Sequence, residues 1–350
     1  MTKNTKTAKD VAKLAGVSQS TVSRVLSSRG VPSFISEKTA ERVRAAAAAL
    51  NYRPNPFARA LRGEQTHLLG LLVREIADPF FAELIAILIE QARKLNYGVV
   101  LSDVHSDPQE AISMTRTSAF DQRQMDGMIF LGDFRDDLPF LQSMVESNRP
   151  VVALCRGLSQ VPIPTVNCNN SAGVNMLLDH LYNLGHRQYA FLDGGWLGDI
   201  RTRREAFMNY FAERNLSTML TSLQAEANTF KGGYSAMSSI LNLSPRPTAV
   251  IASDDQMAVG ALRAAFHAGV RVPEEISICG FDGVEMASYT TPSLTTVRQP
   301  LEAMASKALD LILMQINKEP IPDEEKYIEL MPELLVQEST GPAPAAAELS

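Results

Sequence analysis

The chain has 350 residues, 45% of them hydrophobic and 21% charged, which is typical of a globular protein with two or three domains. It contains no run of about eighteen apolar residues, and its polar opening is unlike a secretion signal, so we expect a cytoplasmic protein without a membrane span. Its three cysteines, Cys155, Cys168 and Cys279, form no CxxC pair, which argues against a disulfide framework and against a structural zinc site.

Charge is distributed unevenly along the chain. The net charge is −6, but residues 1–63 contain 12 lysines and arginines against 3 acidic residues, a net of +9 that leaves −15 for the rest. A basic head on an acidic body suits a head that contacts phosphates. Charge alone leaves a solvated basic arm equally open.

Two short helices joined by a tight turn are predicted near the start of the chain. Thr7 is a suitable N-cap with Asp10 three residues later, and Gly16 can take the left-handed conformation that ends a helix. Ser18 caps a second helix, and Val17 can pack between the two. The apolar residues predicted to face the head core are Val11, Ala12, Leu14, Ala15, Val22, Val25 and Leu26. This order of caps and apolar positions is typical of a helix-turn-helix unit.

The polar face of the second predicted helix carries residues suited to reading DNA. In such units the start of the second helix enters the major groove. Gln19 suits adenine, Arg24 suits guanine and Ser20 suits either base, so these three are the predicted base readers. Thr21 and Ser23 are better placed for phosphate contacts. A polar, solvated helix face is the alternative interpretation.

A third helix is predicted over residues 36–50, and a short hinge follows it. Asn55 is a suitable cap for residues 56–62, which can form one helix that is too short to be stable alone in water. A helix that forms only on DNA would act as a switch, with Leu61 as a wedge in the minor groove and Arg59 on a phosphate. An ordinary linker is the alternative interpretation of this segment.

From Leu68 onward, apolar runs alternate with amphipathic helical patterns. The predicted strands are Leu68–Val73, Gly98–Ser102, Gly127–Leu131, Val151–Cys155, Tyr189–Asp193, Ala249–Ala252 and Ile276–Gly280. The predicted helices include Phe80–Leu95, Ser171–Leu184 and Gln256–Ala268. Such alternation indicates parallel sheets with crossover helices, and the length of the body indicates two lobes. Because ligands of parallel sheets bind at the carboxyl ends of the strands, a cleft between the lobes is the predicted ligand site.

The body shows no recognisable catalytic constellation. It lacks the GxGxxG, P-loop, HExxH and GxSxG patterns. The glycines of 194–198 lack the spacing and the basic partner of a phosphate loop, so we interpret them as a turn. The five histidines are scattered without metal-ligand spacing. We therefore expect a binding protein and not an enzyme, with no catalytic residues, no metal site and no cofactor.

The motifs of the head and body together resemble the LacI/GalR family of bacterial repressors. The pattern Asp-Val-Ala-x-x-Ala-Gly-Val-Ser-x-x-Thr-Val-Ser-Arg-Val-Leu over residues 10–26 is similar to the head of that family. Further similar motifs are Asn51–Asn55, Ala58–Leu61, Asp78–Phe81, Leu184–His186, Asp254–Ala258, Gly280–Asp282 and Pro292–Val297. The similarity follows the family's order over most of the chain.

The resemblance implies an all-α helix-turn-helix head followed by an α/β core like that of periplasmic binding proteins, with two parallel-sheet lobes. The expected domains are the head with its hinge helix at 1–63, an effector-binding and dimerisation core at 64–340, and a short disordered tail at 341–350. The chain is expected to cross between the lobes three times, near Asn167–Asn170, Thr296–Gln299 and Ile328–Pro332. The resemblance also implies a homodimer that binds a near-palindromic DNA operator. A tetramer is not expected, because the tail is too short for a tetramer-forming leucine heptad.

The residues that match the family's effector contacts are Phe80, Phe81, Arg203, Asp254 and Asp282. They offer an aromatic platform for the face of a sugar, a fork of donors, and two carboxylate acceptors for hydroxyls. Core packing is the alternative for the two phenylalanines. A surface ion pair with Glu205 or its neighbours is the alternative for Arg203.

Several positions depart from the family pattern. Cys155 and Asn169 stand where the family often has aspartate, and Asn228 stands where an aromatic residue is familiar. These changes predict a pocket less acidic than a typical sugar site. The loop Ser27–Ile35 is about three residues longer than usual, which could alter phosphate contacts.

The sequence thus predicts a DNA-binding transcription regulator, a repressor, whose operator affinity is controlled by a small polar effector of the sugar class. A solute-binding protein of the same two-lobed fold without a transcriptional role is the alternative, and the basic head argues against it. An enzyme with a regulatory head would need a catalytic constellation that the sequence does not show.

Overall fold

The computed structural model describes residues 6–26, 33–52, 65–103, 125–133, 142, 144–155, 162–195, 198–214, 219–225 and 227–345. The chain divides into two compact units at the boundary between His67 and Leu68, with Met125 and Asp126 belonging to the first unit. No helix within the described ranges is long and apolar enough to cross a membrane.

The first unit contains the helices α1 (Ala8–Ala15), α2 (Gln19–Val25) and α3 (Glu37–Ala49). Thr7 N donates to the Asp10 carboxylate at 2.8 Å, and the Thr7 hydroxyl accepts from Asp10 N, which forms the predicted capping box. Gly16 ends α1 with a φ of 65°, in the left-handed region that glycine adopts without strain. The Ser18 hydroxyl accepts from Thr21 N and caps α2. These contacts confirm the predicted pair of helices and the turn between them.

The helices of the head enclose a small apolar core. Its buried members are Val11, Ala12, Ala15, Val22, Val25, Ala40, Val43, Ala46 and Ala47. Val17 packs against this core from the turn, as predicted. Leu14 does not join it and is 57% exposed, so its predicted place on the apolar face is wrong. At about 100° per residue, Leu14 points about 110° away from the middle of the stripe that Val11, Ala12 and Ala15 form.

The second unit contains two sheets, each with six strands among the described residues. The strands are β1 (Leu68–Val73), β2 (Gly98–Asp103), β3 (Gly127–Leu131), β4 (Val151–Leu154), β5 (Thr165–Cys168), β6 (Gln188–Asp193), β7 (Met219–Gln224), β8 (Ala249–Ala252), β9 (Ser277–Asp282), β10 (Thr295–Arg298), β11 (Tyr327–Leu330) and β12 (Glu333–Leu335). The first sheet has the order β11-β5-β4-β3-β1-β2, and the second has the order β12-β10-β9-β8-β6-β7. All neighbouring strands are parallel except β12, which pairs antiparallel with β10.

Helices cover both sheets and define two lobes. They are α4 (Pro79–Lys94), α5 (Asn170–Asn183), α6 (Gly198–Glu213), α7 (Phe230–Leu241), α8 (Asp255–His267) and α9 (Leu301–Ile316), with short 3₁₀ helices at Glu285–Tyr289 and Asp323–Glu325. Helices α4 and α9 pack on the first sheet and complete lobe 1, whereas α5, α6, α7 and α8 pack on the second sheet and complete lobe 2. This arrangement confirms the predicted two-lobed α/β core.

All seven strand predictions agree with the structure to within two residues, and three of them agree at both ends: Leu68–Val73, Gly127–Leu131 and Ala249–Ala252. Five strands were not predicted, namely β5, β7, β10, β11 and β12. Polar residues interrupt these segments, so they lack the continuous apolar run that marks a buried parallel strand.

The chain passes between the lobes at three places. It leaves β5 in lobe 1 for α5 in lobe 2 at Asn169. It returns from β10 to α9 at Gln299–Pro300, and it crosses once more from β11 to β12 at Met331–Pro332. Each passage falls in or beside a predicted crossing, so the crossing predictions are confirmed.

The last described residues pair with lobe 2. Gly341 N donates to the Ser277 hydroxyl at 3.1 Å, and Ala343 N donates to the Leu184 carbonyl at 2.8 Å. His186, which is fully buried, donates from Nε2 to the Gly341 carbonyl at 3.0 Å. Gly341 and Ala343, which the sequence assigns to a separate tail, are therefore hydrogen-bonded to the core.

Candidate DNA-binding and effector sites

The exposed face of α2 carries the three predicted base readers. Gln19, Ser20 and Arg24 are all exposed, although α2 buries its opposite side in the head core. Ser20 lies at the first turn, where its hydroxyl is 2.8 Å from that of the capping Ser18. The Arg24 guanidinium lies 5.3 Å from the centre of the Phe34 ring, which supports its side chain from the loop before α3. Side chains that contact bases in a groove must be accessible, and these three are. Their contacts with bases stay a prediction.

The predicted phosphate contacts lie deeper on the same helix. Thr21 and Ser23 are half-buried, and the Thr21 hydroxyl is 2.8 Å from the hydroxyl of the residue that caps α2. Asn55, Arg59 and Leu61, with the rest of the predicted hinge, lie outside the described residues, as do positions 27–32 of the long loop.

Arg203 on α6 is the centre of the polar cluster in the core. It is only 2% exposed. Its Nε donates to Asn170 Oδ1 at 2.8 Å, and its Nη1 donates to the Ser253 carbonyl at 2.7 Å. The guanidinium also lies 3.8 Å from the centre of the Phe281 ring, in a cation–π contact. The side chain is therefore held on several sides at the carboxyl ends of the strands of lobe 2.

The alternative of a surface ion pair for Arg203 is wrong. Glu205 lies 3.9 Å from Arg201, which is half exposed, and Arg203 instead faces the interior. The two arginines are two positions apart, and a helix turns about 200° over that distance. They consequently lie on opposite sides of α6.

Asp282 pairs with Arg203 at the end of β9. Its Oδ1 lies 3.1 Å from Arg203 Nη2 and accepts from Gln299 Nε2 at 2.7 Å. A second carboxylate, Asp199 on the first turn of α6, lies 3.8 Å from the same guanidinium. Gln299 belongs to the second interlobe crossing, so the site is bonded directly to a segment that joins the lobes.

Asp254 sits at the end of β8 and caps α8. Its Oδ1 accepts from Met257 N at 2.7 Å, and its other oxygen accepts from Asn228 Nδ2. The next residue, Asp255, is turned into the core of lobe 2, where it accepts from Thr296 Oγ1 at 2.5 Å and from Val284 N at 2.9 Å. Asp254 therefore uses both carboxylate oxygens within lobe 2, whereas Asp255 fastens the surrounding strands.

Phe80 and Phe81 lie in the first turn of α4 and are 4% and 2% exposed. Their rings meet edge to face at 5.2 Å within the apolar core. Their burial favours core packing over a platform for a ligand, and direct contact with an effector stays a prediction. The polar residue at this place is Asp78, which accepts from Phe80 N at 3.0 Å and lies 3.6 Å from Arg74.

The electrostatics of these groups act across the cleft. Burial raises the pKa of Asp78 to about 7, the charge of Asp254 adds to the rise, and Arg74 opposes it. Burial also raises the pKa of Asp254 and that of Asp282, and the charge of Arg203 opposes both changes. Asp78 belongs to lobe 1 and Asp254 to lobe 2, so the charge that raises the pKa of Asp78 lies on the opposite lobe.

The sequence missed several residues of this cluster. Asp78 and Asp199 add carboxylates to the cluster, while Asn170 and Gln299 supply amides that hold Arg203 and Asp282. The signals were the Asp-Pro pair that starts α4 and the asparagines at the first predicted crossing. Cys155, which stands in place of an aspartate, is buried, and burial raises the pKa of its thiol.

Comparison with known proteins identifies the family. A model of the bacterial regulatory proteins of the lacI family matches residues 7–55, and a model of the periplasmic binding protein-like domain matches residues 178–340. The ribose operon repressor of Halalkalibacterium halodurans is 32% identical over 335 residues, covering 95% of this chain and 97% of that repressor. The chain belongs to the lacI family of bacterial regulatory proteins.

Other lacI-family proteins match over nearly the whole length. The HTH-type transcriptional repressor PurR of Erwinia tasmaniensis is 33% identical over 342 residues, covering 97% of this chain and 98% of PurR. The crystal structure of the Lac repressor dimer bound to operator and the anti-inducer ONPF has a TM-score of 0.82 at 29% identity, covering 96% of this chain and 99% of that chain. This lacI-family chain is accordingly a DNA-binding transcription regulator of the repressor class and not an enzyme.

Proposed function

We propose that the chain is a cytoplasmic homodimeric repressor that binds a near-palindromic operator through its head and a sugar-like effector between its lobes. The observation that carries the effector proposal is the buried Arg203 fork, which lies 3.1 Å from the Asp282 carboxylate and 3.8 Å from the Asp199 carboxylate. Such a set donates to and accepts from the hydroxyls of one small polar ligand. A relative is named a ribose operon repressor, which makes D-ribose the first compound to test.

A thermal-shift screen of D-ribose, other pentoses, hexoses and disaccharides tests the effector proposal. A ligand at a hundredfold excess over its dissociation constant stabilises the folded chain by about 2.7 kcal/mol. Arg203→Lys keeps the charge but loses the fork, so it should abolish the shift, whereas Arg201→Lys on the outer side of α6 should preserve it. A hit that stabilises Arg203→Lys as much as the unmodified chain would place the ligand elsewhere. Repeating operator binding with each hit gives the sign of the response.

The DNA proposal assigns Gln19, Ser20 and Arg24 to base edges and Thr21 and Ser23 to phosphates. Exposure of the first three on α2 supports it. Selection from random duplexes by the whole chain should yield a near-palindromic site.

Head variants test this assignment on the selected site. Gln19→Ala and Arg24→Ala should each cost about 1–3 kcal/mol and relax the preference at one position of each half-site. Arg42→Ala, which removes an equal charge from the exposed side of α3, should leave sequence preference unchanged. Affinity should also fall steeply with salt because the head has a net charge of +9. An unchanged preference in both reader variants, or a flat salt dependence, would contradict the proposal.

The dimer proposal rests on exposed aromatic residues in lobe 2 and on the Lac repressor dimer that the chain resembles. Phe266 at the end of α8 is 70% exposed, and Tyr289 at the end of its 3₁₀ helix is 78% exposed. A second copy of the chain would bury such side chains. Light scattering should give a dimer for the chain and a monomer for Tyr289→Glu, with Leu243→Glu as a control on the surface of the same lobe. A monomeric unmodified chain would refute it.

A further inference from the structure

A carboxylate of lobe 1 binds the start of a helix of lobe 2. Asp133 follows β3, whose end is held by the hydrogen bond from Gly132 N to the Leu154 carbonyl at 2.9 Å. Its Oδ2 accepts from Gly198 N at 2.6 Å, and Gly198 is the first residue of α6. The first amides of a helix have no partner within it, and the positive end of the helix dipole favours an anion there.

A second carboxylate of lobe 1 also binds the start of a helix of lobe 2. Glu83 is half-buried on α4 of lobe 1, one turn beyond Asp78. Its Oε1 accepts at 2.8 Å from Glu285 N, the first amide of the 3₁₀ helix that follows β9 in lobe 2. No side chain caps that helix from within its own lobe.

The two contacts have the same chemistry. In each, an anion of lobe 1 meets an otherwise orphaned helix-start amide of lobe 2, and neither contact involves Arg203 or Asp254. Hydrogen bonds between a charged acceptor and an amide are among the stronger ones in proteins. Both would break together if the lobes rotated apart about the three crossings.

We propose that Asp133 and Glu83 act as two latches that hold the cleft closed before any effector binds. They are positioning residues, because each accepts a hydrogen bond from the backbone of the opposite lobe. By raising the population of the closed form they raise the apparent affinity for any ligand that requires closure. That consequence rests on the proposed effector function, whereas the latches themselves can be tested without a ligand.

Hydrogen–deuterium exchange of the ligand-free chain, read by mass spectrometry on peptides spanning Gly198 and Glu285, tests the latches. Asp133→Asn weakens the first latch directly, so exchange at Gly198 should quicken by about three- to tenfold. If the lobes open as rigid bodies, exchange at Glu285 should quicken too, although Asp133 does not touch it. Glu83→Gln should give the reciprocal result.

The remote effect decides the proposal, because a purely local hydrogen bond would not produce it. Unchanged exchange at Glu285 in Asp133→Asn, together with unchanged exchange at Gly198 in Glu83→Gln, would overturn it. Glu90→Gln is the control, since Glu90 lies on the same helix α4 as Glu83 but pairs only with the exposed Lys94 among the ion pairs of the described residues. If Asp133→Asn lowers the free energy of unfolding of the whole core, the Glu83→Gln variant decides the proposal instead. Glu83 is the more exposed residue, and the measurement is then exchange at Gly198. A sugar screen without hits would refute the effector proposal and leave this result standing.

Discussion

Replacing Arg203 by methionine removes the charge at the centre of the core site while keeping most of the side-chain volume. The change deletes the donors to Asn170 and to the Ser253 carbonyl, and it leaves Asp282 buried without its cation. Removing one partner of a buried ion pair costs about 3–5 kcal/mol, because the remaining charge is uncompensated. We expect a loss of that size in the free energy of unfolding of the core.

Urea denaturation followed by far-ultraviolet circular dichroism measures this loss. Arg201→Met is the matched control on the same helix, and its half-exposed pair with Glu205 predicts a change of about 0–1 kcal/mol. Adding Asp282→Asn to Arg203→Met should recover part of the loss, because the stranded charge is then gone. The reasoning is refuted if Arg203→Met costs no more than Arg201→Met, or if the second substitution makes the first one worse.

Other substitutions test the remaining structural claims. Burial lowers the pKa of His186, so below its unfolded value of about 6.5 the unfolded chain takes up a proton that the folded chain does not, and stability falls as the pH falls. His186→Gln should remove that component, so the difference in free energy of unfolding between the unmodified chain and the variant should change between pH 7 and pH 5. Gly260→Ala would place a Cβ 2.1 Å from the Phe230 carbonyl oxygen, so it should force α8 away from α7 and cost about 1–3 kcal/mol by urea denaturation. Ser18→Ala removes the cap of α2 and should cost about 1 kcal/mol locally, which would make the Thr21 amide exchange about fivefold faster.

Each of these predictions has a control variant. His267→Gln changes an exposed histidine of α8 and should leave the pH dependence in place. Lys231→Ala changes an exposed residue of α7 and should leave the α7–α8 contact intact. Gln19→Ala lies next to the cap but supplies no capping oxygen. A pH-independent difference for His186→Gln, a neutral Gly260→Ala, or unaltered exchange in Ser18→Ala would each contradict the corresponding claim.

Local sequence signals were sufficient for the head. Thr7, Gly16 and Ser18 act through the backbone within three or four residues, so their roles follow from spacing alone. The prediction for Leu14 was wrong because an eight-residue helix buries only a narrow stripe of side chains. The hydrophobicity of a residue does not show whether it lies inside that stripe. In the core, buried parallel strands were found by their apolar runs, whereas the polar strand β10 and the edge strands β7, β11 and β12 carry no such run.

The fold brings the residues proposed for the effector site together only in part. Arg203, Asp254 and Asp282 come together as the family resemblance implied, but Phe80 and Phe81 turn into the core and Asp78 takes the polar position beside them. The spacing of these residues in the sequence could not predict this. Which of their side chains faces the sheet depends on how the first turn of α4 packs against it. Asp199 was missed for a similar reason, since its distance from Arg203 depends on how α6 lies over lobe 2.

The three crossings have a consequence for biosynthesis. Strands β1 to β5 of lobe 1 are made first, but its helix α9 and strand β11 come from residues 301–330, after nearly all of lobe 2. At about 5–20 residues per second, lobe 1 therefore waits on the order of ten seconds on the ribosome for its missing pieces. The helices of the head end at Ala49, and Leu50 and Tyr52 complete the packing of its core, so the head is made before either lobe. A truncated product ending within lobe 2 would keep the whole helix-turn-helix and lose its means of responding to a ligand.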